Sequence, residues 1–107
     1  MYKRHTMAYT RNMKVLSWSR EKNQLLRRQR SISFEEVEQA IAEGKAIEIL
    51  EHPNKLTYPN QKILVVLIRN YVYLVPFVED ETSYFLKTII PSRKATKKFK
   101  KNPIIER

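Results

Sequence analysis

Two apolar runs, residues 62–68 (KILVVLI) and 71–78 (YVYLVPFV), are separated only by Arg69-Asn70. Each is of strand length, and asparagine tolerates the positive φ of a tight turn, so the pattern predicts a β-hairpin. Both runs are apolar almost throughout rather than alternating, which predicts a sheet with a face covered by helices. Pro76 has no amide hydrogen to offer a ladder, so an edge position or a bulge is expected there.

The covering helices are legible upstream. In residues 33–44 (SFEEVEQAIAEG), Ser33 and Glu36 form a capping box, and Phe34, Val37, Ala40 and Ile41 make one apolar stripe. Gly44 stands where a left-handed C-cap is wanted. The acidic residues Glu35, Glu36 and Glu38 read as that helix's solvent face, suited to its N-terminal dipole. Ser19 can cap an earlier helix with Lys22, Leu25, Leu26 and Gln29 at helical spacing, and Trp18 is expected to anchor it to the sheet.

Short strands are predicted at residues 14–17, 45–51 (KAIEILE) and 83–90 (SYFLKTII), with a loop at 52–61 (HPNKLTYPNQ) and a turn at 79–82 (EDET). Residues 92–101 read as a short C-terminal helix. The resulting expectation is an α+β fold: two N-terminal helices packed on a mainly antiparallel sheet of about four to five strands, closed by that helix. A chain of 107 residues suits one domain. Its expected limits are 14–101, with a flexible extension at 1–13 and a tail at 102–107.

Charge narrows the function classes. The chain holds 21 Lys and Arg against 11 Asp and Glu. Residues 1–31 carry nine basic and one acidic residue, and residues 91–107 carry seven and one, while residues 32–62 carry three and six. Basic ends around a neutral or acidic middle suit a polyanion or an acidic protein; aiding solubility is the plainer alternative. There is no cysteine, so disulfides and thiolate metal sites are excluded. No apolar run is long enough to span a bilayer, so no membrane partner is expected and the chain reads as cytoplasmic.

Two stretches then resemble a known family. Trp18, Lys22 and Ser33-Phe34-Glu35-Glu36-Val37, within WSREKNQLLRRQRSISFEEV, are similar to the N-terminal signature of BrnT-type toxins: Trp-Asp-x-x-Lys, a helix, a His-Gly-Val turn, then Ser-Phe-Glu-Glu-Ala. Residues 89–96 (IIPSRKAT) resemble that family's Ile-Ser-Ala-Arg-Arg-Ala-Thr block. The chain departs in having Ser19 for the aspartate, Arg30-Ser31-Ile32 for His-Gly-Val, and Lys87-Thr88 where the last strand's arginine is expected. The resemblance implies a RelE-like fold and endoribonuclease activity that arrests translation. It also implies a cognate antitoxin, with DNA met only through the toxin–antitoxin complex.

RNA cleavage without a metal or cofactor needs a deprotonated 2′-hydroxyl, a stabilised phosphorane and a protonated leaving oxygen. Arg93, at a strand-to-helix junction, is the first candidate, because its planar guanidinium grips phosphate oxygens and stays charged. Lys87 and Lys94 follow as phosphate ligands or proton carriers, and His52, in the loop, as a base. Lys22, Arg69, Lys97, Lys98 and Tyr58 are candidate RNA contacts. For each cation the alternative is a solvated surface charge. The strand aromatics Tyr71, Tyr73, Phe77, Tyr84 and Phe85 read as core rather than as base-stacking platforms. No Gly-rich phosphate loop and no metal-ligand spacing is present in the sequence.

Overall fold

A computed structural model describes residues 3–5 and 15–101. The hairpin forms as expected. Strands β4 (Gln61–Ile68) and β5 (Tyr71–Glu79) pair antiparallel from Gln61↔Val78 to Ile68↔Tyr71. Arg69 and Asn70 take φ 50° and 67°, two successive left-handed residues whose twist matches that of the flanking strands. Successive side chains alternate between faces. Leu64, Val66, Ile68, Val75 and Phe77 join the main core on one face, and Val65 and Val72 are buried on the other.

The sheet is larger than expected and mixed. Its order is β1 (Lys3–His5), β2 (Val15–Trp18), β6 (Ser83–Leu86), β5, β4, β3 (Ala46–Glu51), and β7 (Ile90–Pro91) also pairs with β5. Seven strands stand where four to five were expected, and the pairing of β2 with β6 is parallel while the other pairs are antiparallel, with the α+β class kept. Three residues of the stretch read as an extension thus form β1; the rest of that stretch, and the tail at 102–107, lie outside the described residues.

Pro76 explains why the predicted strand 83–90 is two strands. It lies inside β5 rather than on an edge, opposite Ile63 of β4. Its carbonyl accepts from the Lys87 amide at 2.8 Å, so its missing N–H faces the same side. No donor is available there to hold a ladder, and the neighbouring strand breaks. β6 pairs with Phe77, Val78 and Glu79, and β7 pairs with Tyr73 and Leu74.

Helices α1 (Arg20–Arg30) and α2 (Phe34–Ala42) cover the first face. Ser19 caps α1, accepting from the Lys22 amide at 3.2 Å. The residues α1 turns inward are Asn23 and Leu26, while Gln29 of the predicted spacing is exposed. Ser33 accepts from the Glu36 amide at 3.4 Å, but the Glu36 carboxylate bonds Arg69 instead of closing the capping box. Gly44, at φ 77°, ends α2: the Lys45 amide reaches the Ala40 carbonyl at 2.8 Å and the Gly44 amide reaches Ile41 at 3.1 Å, the bond pair of a Schellman ending.

Trp18 shares the core with Leu26 of α1 and also reaches α2, and Glu38 departs from its expected place. Trp18 stacks on Phe34, the first residue of α2, with ring centroids 5.5 Å apart, so it ties the second helix to the sheet. Such a pair adds about 0.5–1.5 kcal/mol beyond its area burial. Glu38, read as part of a solvent face, is 5% exposed. Between the helices, Asn23 accepts from the Phe34 amide at 2.7 Å and donates to Glu35 at 2.8 Å, which sets the entry of α2 against α1.

Candidate nucleic-acid interface

The third helix, α3 (Arg93–Lys101), carries RKATKKFKK, six cations in nine residues. What aims them is a short set of polar contacts at its start. Ser92 caps the helix, its Oγ accepting from the Ala95 amide at 3.1 Å. Its amide donates to the Val72 carbonyl at 3.0 Å, where β7 has ended and β5 has spare backbone groups. Thr96, 5% exposed, accepts the Val72 amide hydrogen at 2.9 Å and donates to the Ser92 carbonyl at 2.7 Å. The first turn of α3 is therefore bonded to β5 through both polar groups of one residue.

Packing completes the orientation. Ala95 and Phe99 turn toward the sheet face opposite α1 and α2, lining a cleft with Val65 and Val72. Thr96 and Phe99 being inward, Arg93, Lys94, Lys97, Lys98, Lys100 and Lys101 are all exposed. Residues four apart share a helix face, so Arg93, Lys97 and Lys101 form one row and Lys94 and Lys98 another. No carboxylate forms an ion pair with any of the six among the described residues. Close like charges repel, and a polyanion laid along the helix removes that repulsion.

The other predicted residues are placed differently. Lys87 is exposed but lies off the strand where it was expected, in the link of residues 87–89 between β6 and β7. That link meets Arg30, whose guanidinium donates to the Ile89 carbonyl across 59 positions of sequence. Arg30 thus brings the end of α1 to the chain leading into α3. Sequence spacing carried no signal for this contact, since only the fold joins the two segments.

Arg69 is committed elsewhere. It donates to Glu36 at 2.8 Å and to the Ser31 carbonyl at 2.9 Å, bracing the turn between α1 and α2. Lys22, half-buried on α1, belongs to the helical layer on the face away from α3. His52 and Tyr58 pack on one another with ring centroids 4.6 Å apart, and Nδ1 of His52 accepts from the Asn54 amide at 3.0 Å. Tyr58 is 46% exposed, as expected of a loop residue.

His52 does not join Arg93. It follows Glu51, which pairs with Lys62, which pairs with Phe77, whereas α3 is fastened at Val72. Five residues of strand separate those two rows, roughly 17 Å. The cluster of cations and the loop histidine therefore occupy opposite ends of the sheet. The basic helix presents its exposed cations away from His52.

Within those same residues no group of acidic or histidine side chains could hold a metal ion, and no helix is long and apolar enough to cross a membrane. The fold and this interface define an α+β protein with a basic helix clamped to the sheet. Comparison of the chain with protein-family models, with curated proteins and with solved structures finds no match.

Proposed function

We propose that the chain is the toxin of a type II toxin–antitoxin pair, a metal-independent endoribonuclease of RelE-like fold that engages RNA through α3. The observation that carries this reading is the unpaired row of cations on α3, held outward by the Thr96 clamp. The likeness of residues 18–37 and 89–96 to BrnT-type toxins supports it. Ser31, in the slot of the glycine in the toxins' turn, has φ 55°, the conformation for which that glycine is suited. Arg93 stabilises charge on the scissile phosphate, Lys94 and Lys97 hold flanking phosphates, and Lys87 lies within the segment leading to them. A small antitoxin neutralises the toxin, and it alone contacts DNA.

Induction of the protein in a bacterial host, with growth and total RNA followed over time, tests the reading. Growth should stop and RNA should be lost, and Arg93→Ala should remove both effects while circular dichroism stays native. Unimpaired growth on induction of the wild-type chain overturns it.

The separation of His52 from Arg93 favours a second reading, a basic module that grips RNA or DNA without cutting it. Purified protein then retains salt-dependent affinity for RNA but leaves it intact both in EDTA and in magnesium.

A further inference from the structure

The break at Pro76 leaves the 87–89 link with few backbone partners. It is held to β5 at its start, where the Lys87 amide donates to the Pro76 carbonyl at 2.8 Å, and strand pairing resumes only at Ile90. On its other side no strand stands among the described residues: β2 ends at Trp18, opposite Leu86, and β7 pairs with β5 alone. Yet the link belongs to the core, since Ile89 is fully buried. A backbone carbonyl in such a place needs a partner, and Arg30 supplies it, its guanidinium donating to the Ile89 carbonyl.

Arg30 works from a fixed platform. It is the last residue of α1, and Ser31 closes that helix at φ 55°. The Ser31 amide reaches the Arg27 carbonyl at 3.2 Å and the Ile32 amide reaches Leu26 at 3.5 Å. Leu26 and Ile32 are both buried, so the turn is pinned to the core on either side, and Arg69 holds the Ser31 carbonyl. Arg27, in the same last turn, is paired with Glu35, whereas Arg30 meets no carboxylate among the described residues. The bond of Arg30 goes to a neutral carbonyl four residues ahead of Arg93.

Those four residues hold the start of α3. Ile90 and Pro91 pair with Leu74 and Tyr73, and Ser92 bonds Val72 and caps the helix. Two pairs make a short strand, and Pro91 brings no amide hydrogen to it. Arg30 is the contact that steadies this strand from its outer side. A link free to shift at Ile89 lets β7, and the first turn of α3 behind it, shift as well.

We propose that Arg30 is a positioning residue: by holding the Ile89 carbonyl it fixes β7, and with it the place from which Arg93 reaches a phosphate. The action of Arg93 on RNA is taken from the ribonuclease reading above, on which this inference rests, whereas the clamp itself belongs to the fold. Misplacing a reacting group by about 1 Å can slow a reaction on the order of a hundredfold. When the lost interaction is one made in the transition state, kcat falls and KM stays.

Arg30→Met removes the donors and keeps a long side chain, and Arg27→Met takes the same charge from the same turn as a control. Amide hydrogen exchange of the full chain reads the clamp. Arg30→Met should speed exchange at Ser92 and Thr96 about tenfold, the equivalent of 1.4 kcal/mol in local opening. Arg27→Met, which breaks only an exposed pair, should change it less than about twofold. Cleavage of a mixed-sequence single-stranded RNA oligonucleotide, labelled with a fluorophore and a quencher, reads the consequence. For Arg30→Met kcat should fall about tenfold or more, with KM within about twofold of the wild type. Unchanged exchange at Ser92 and Thr96 overturns the proposal. So does a raised KM with a salt slope of RNA affinity flattened by about 0.7, which would make Arg30 itself a phosphate contact. If the wild-type chain leaves the RNA intact, the ribonuclease reading falls and the exchange comparison alone decides the clamp.

Discussion

The Thr96 hydroxyl stands between Val72 and Ser92, accepting from the amide of the first at 2.9 Å and donating to the carbonyl of the second at 2.7 Å. It takes the place of a ladder partner where β7 has ended and β5 continues. Thr96→Val keeps the shape and removes both bonds, leaving a buried amide without a partner. A cost of about 1–3 kcal/mol is expected, read as a lower urea midpoint. If the proposed RNA contact is correct, affinity for RNA falls as well, although no cation has been touched.

Ser17 offers the opposite case. It is fully buried on β2, and its hydroxyl oxygen has no hydrogen-bond partner. Replacing it with alanine removes an unsatisfied polar atom and very little volume. Ser17→Ala should raise stability by about 1 kcal/mol, measured by the same unfolding curve. An unchanged or lower midpoint would contradict this account of the site.

Glu35 gives stability an acid limb. Burial pushes its carboxyl up, but hydrogen bonds from Asn23, Arg27 and its own backbone amide, together with the Arg27 charge, outweigh burial and hold it below the ordinary value of 4.5. A carboxyl lowered in the folded state contributes stability that is present above its unfolded value. That contribution is lost as pH falls through the folded one. Glu35→Gln should therefore flatten the decline in stability below about pH 4.5, and Arg27→Ala should flatten it less, because Asn23 remains. The carboxylate is 43% exposed, so the effect is small and screened by salt.

The hairpin turn is open to a paired test. Asn70 sits at φ 67°. Asn70→Gly should change stability by no more than about 0.5 kcal/mol, whereas Asn70→Val, branched at Cβ, should cost about 1–2 kcal/mol. Thermal unfolding of the two variants side by side checks it.

RNA affinity should follow a counting rule if α3 holds phosphates. For a single strand the slope of log affinity against log salt is about −0.7 per neutralised phosphate. Lys97→Ala with Lys98→Ala should therefore make the slope less steep by roughly one to two contacts, while Lys22→Ala, on the other face, leaves it unchanged. Loss of slope from Lys22→Ala would move the interface to α1.

The sequence by itself determined the local elements. Ser19 and Ser33 as caps, Gly44 as a left-handed ending, the Arg69-Asn70 turn and the strands β4 and β5 are all readable, because each depends on a few neighbouring residues. Pro76 was legible as an obstacle to a ladder but not as the reason the next strand splits, since that required knowing which strand lies beside it.

The candidate site divides along the same line. Arg93, Lys94, Lys97 and Lys98 are visible as a charge run, and helical periodicity alone predicts that some of them share a face. Only the tertiary structure decided which face. It spent Arg69 on Glu36 and Ser31, brought Arg30 to Ile89, buried Glu38 and placed His52 at the far end of the sheet from Arg93. It also left the outer edge of β3 without a neighbouring strand among the described residues. The physical reason is that propensity and capping act within one turn or one strand. Pairing partners, burial and the direction of a side chain depend on contacts between segments dozens of residues apart.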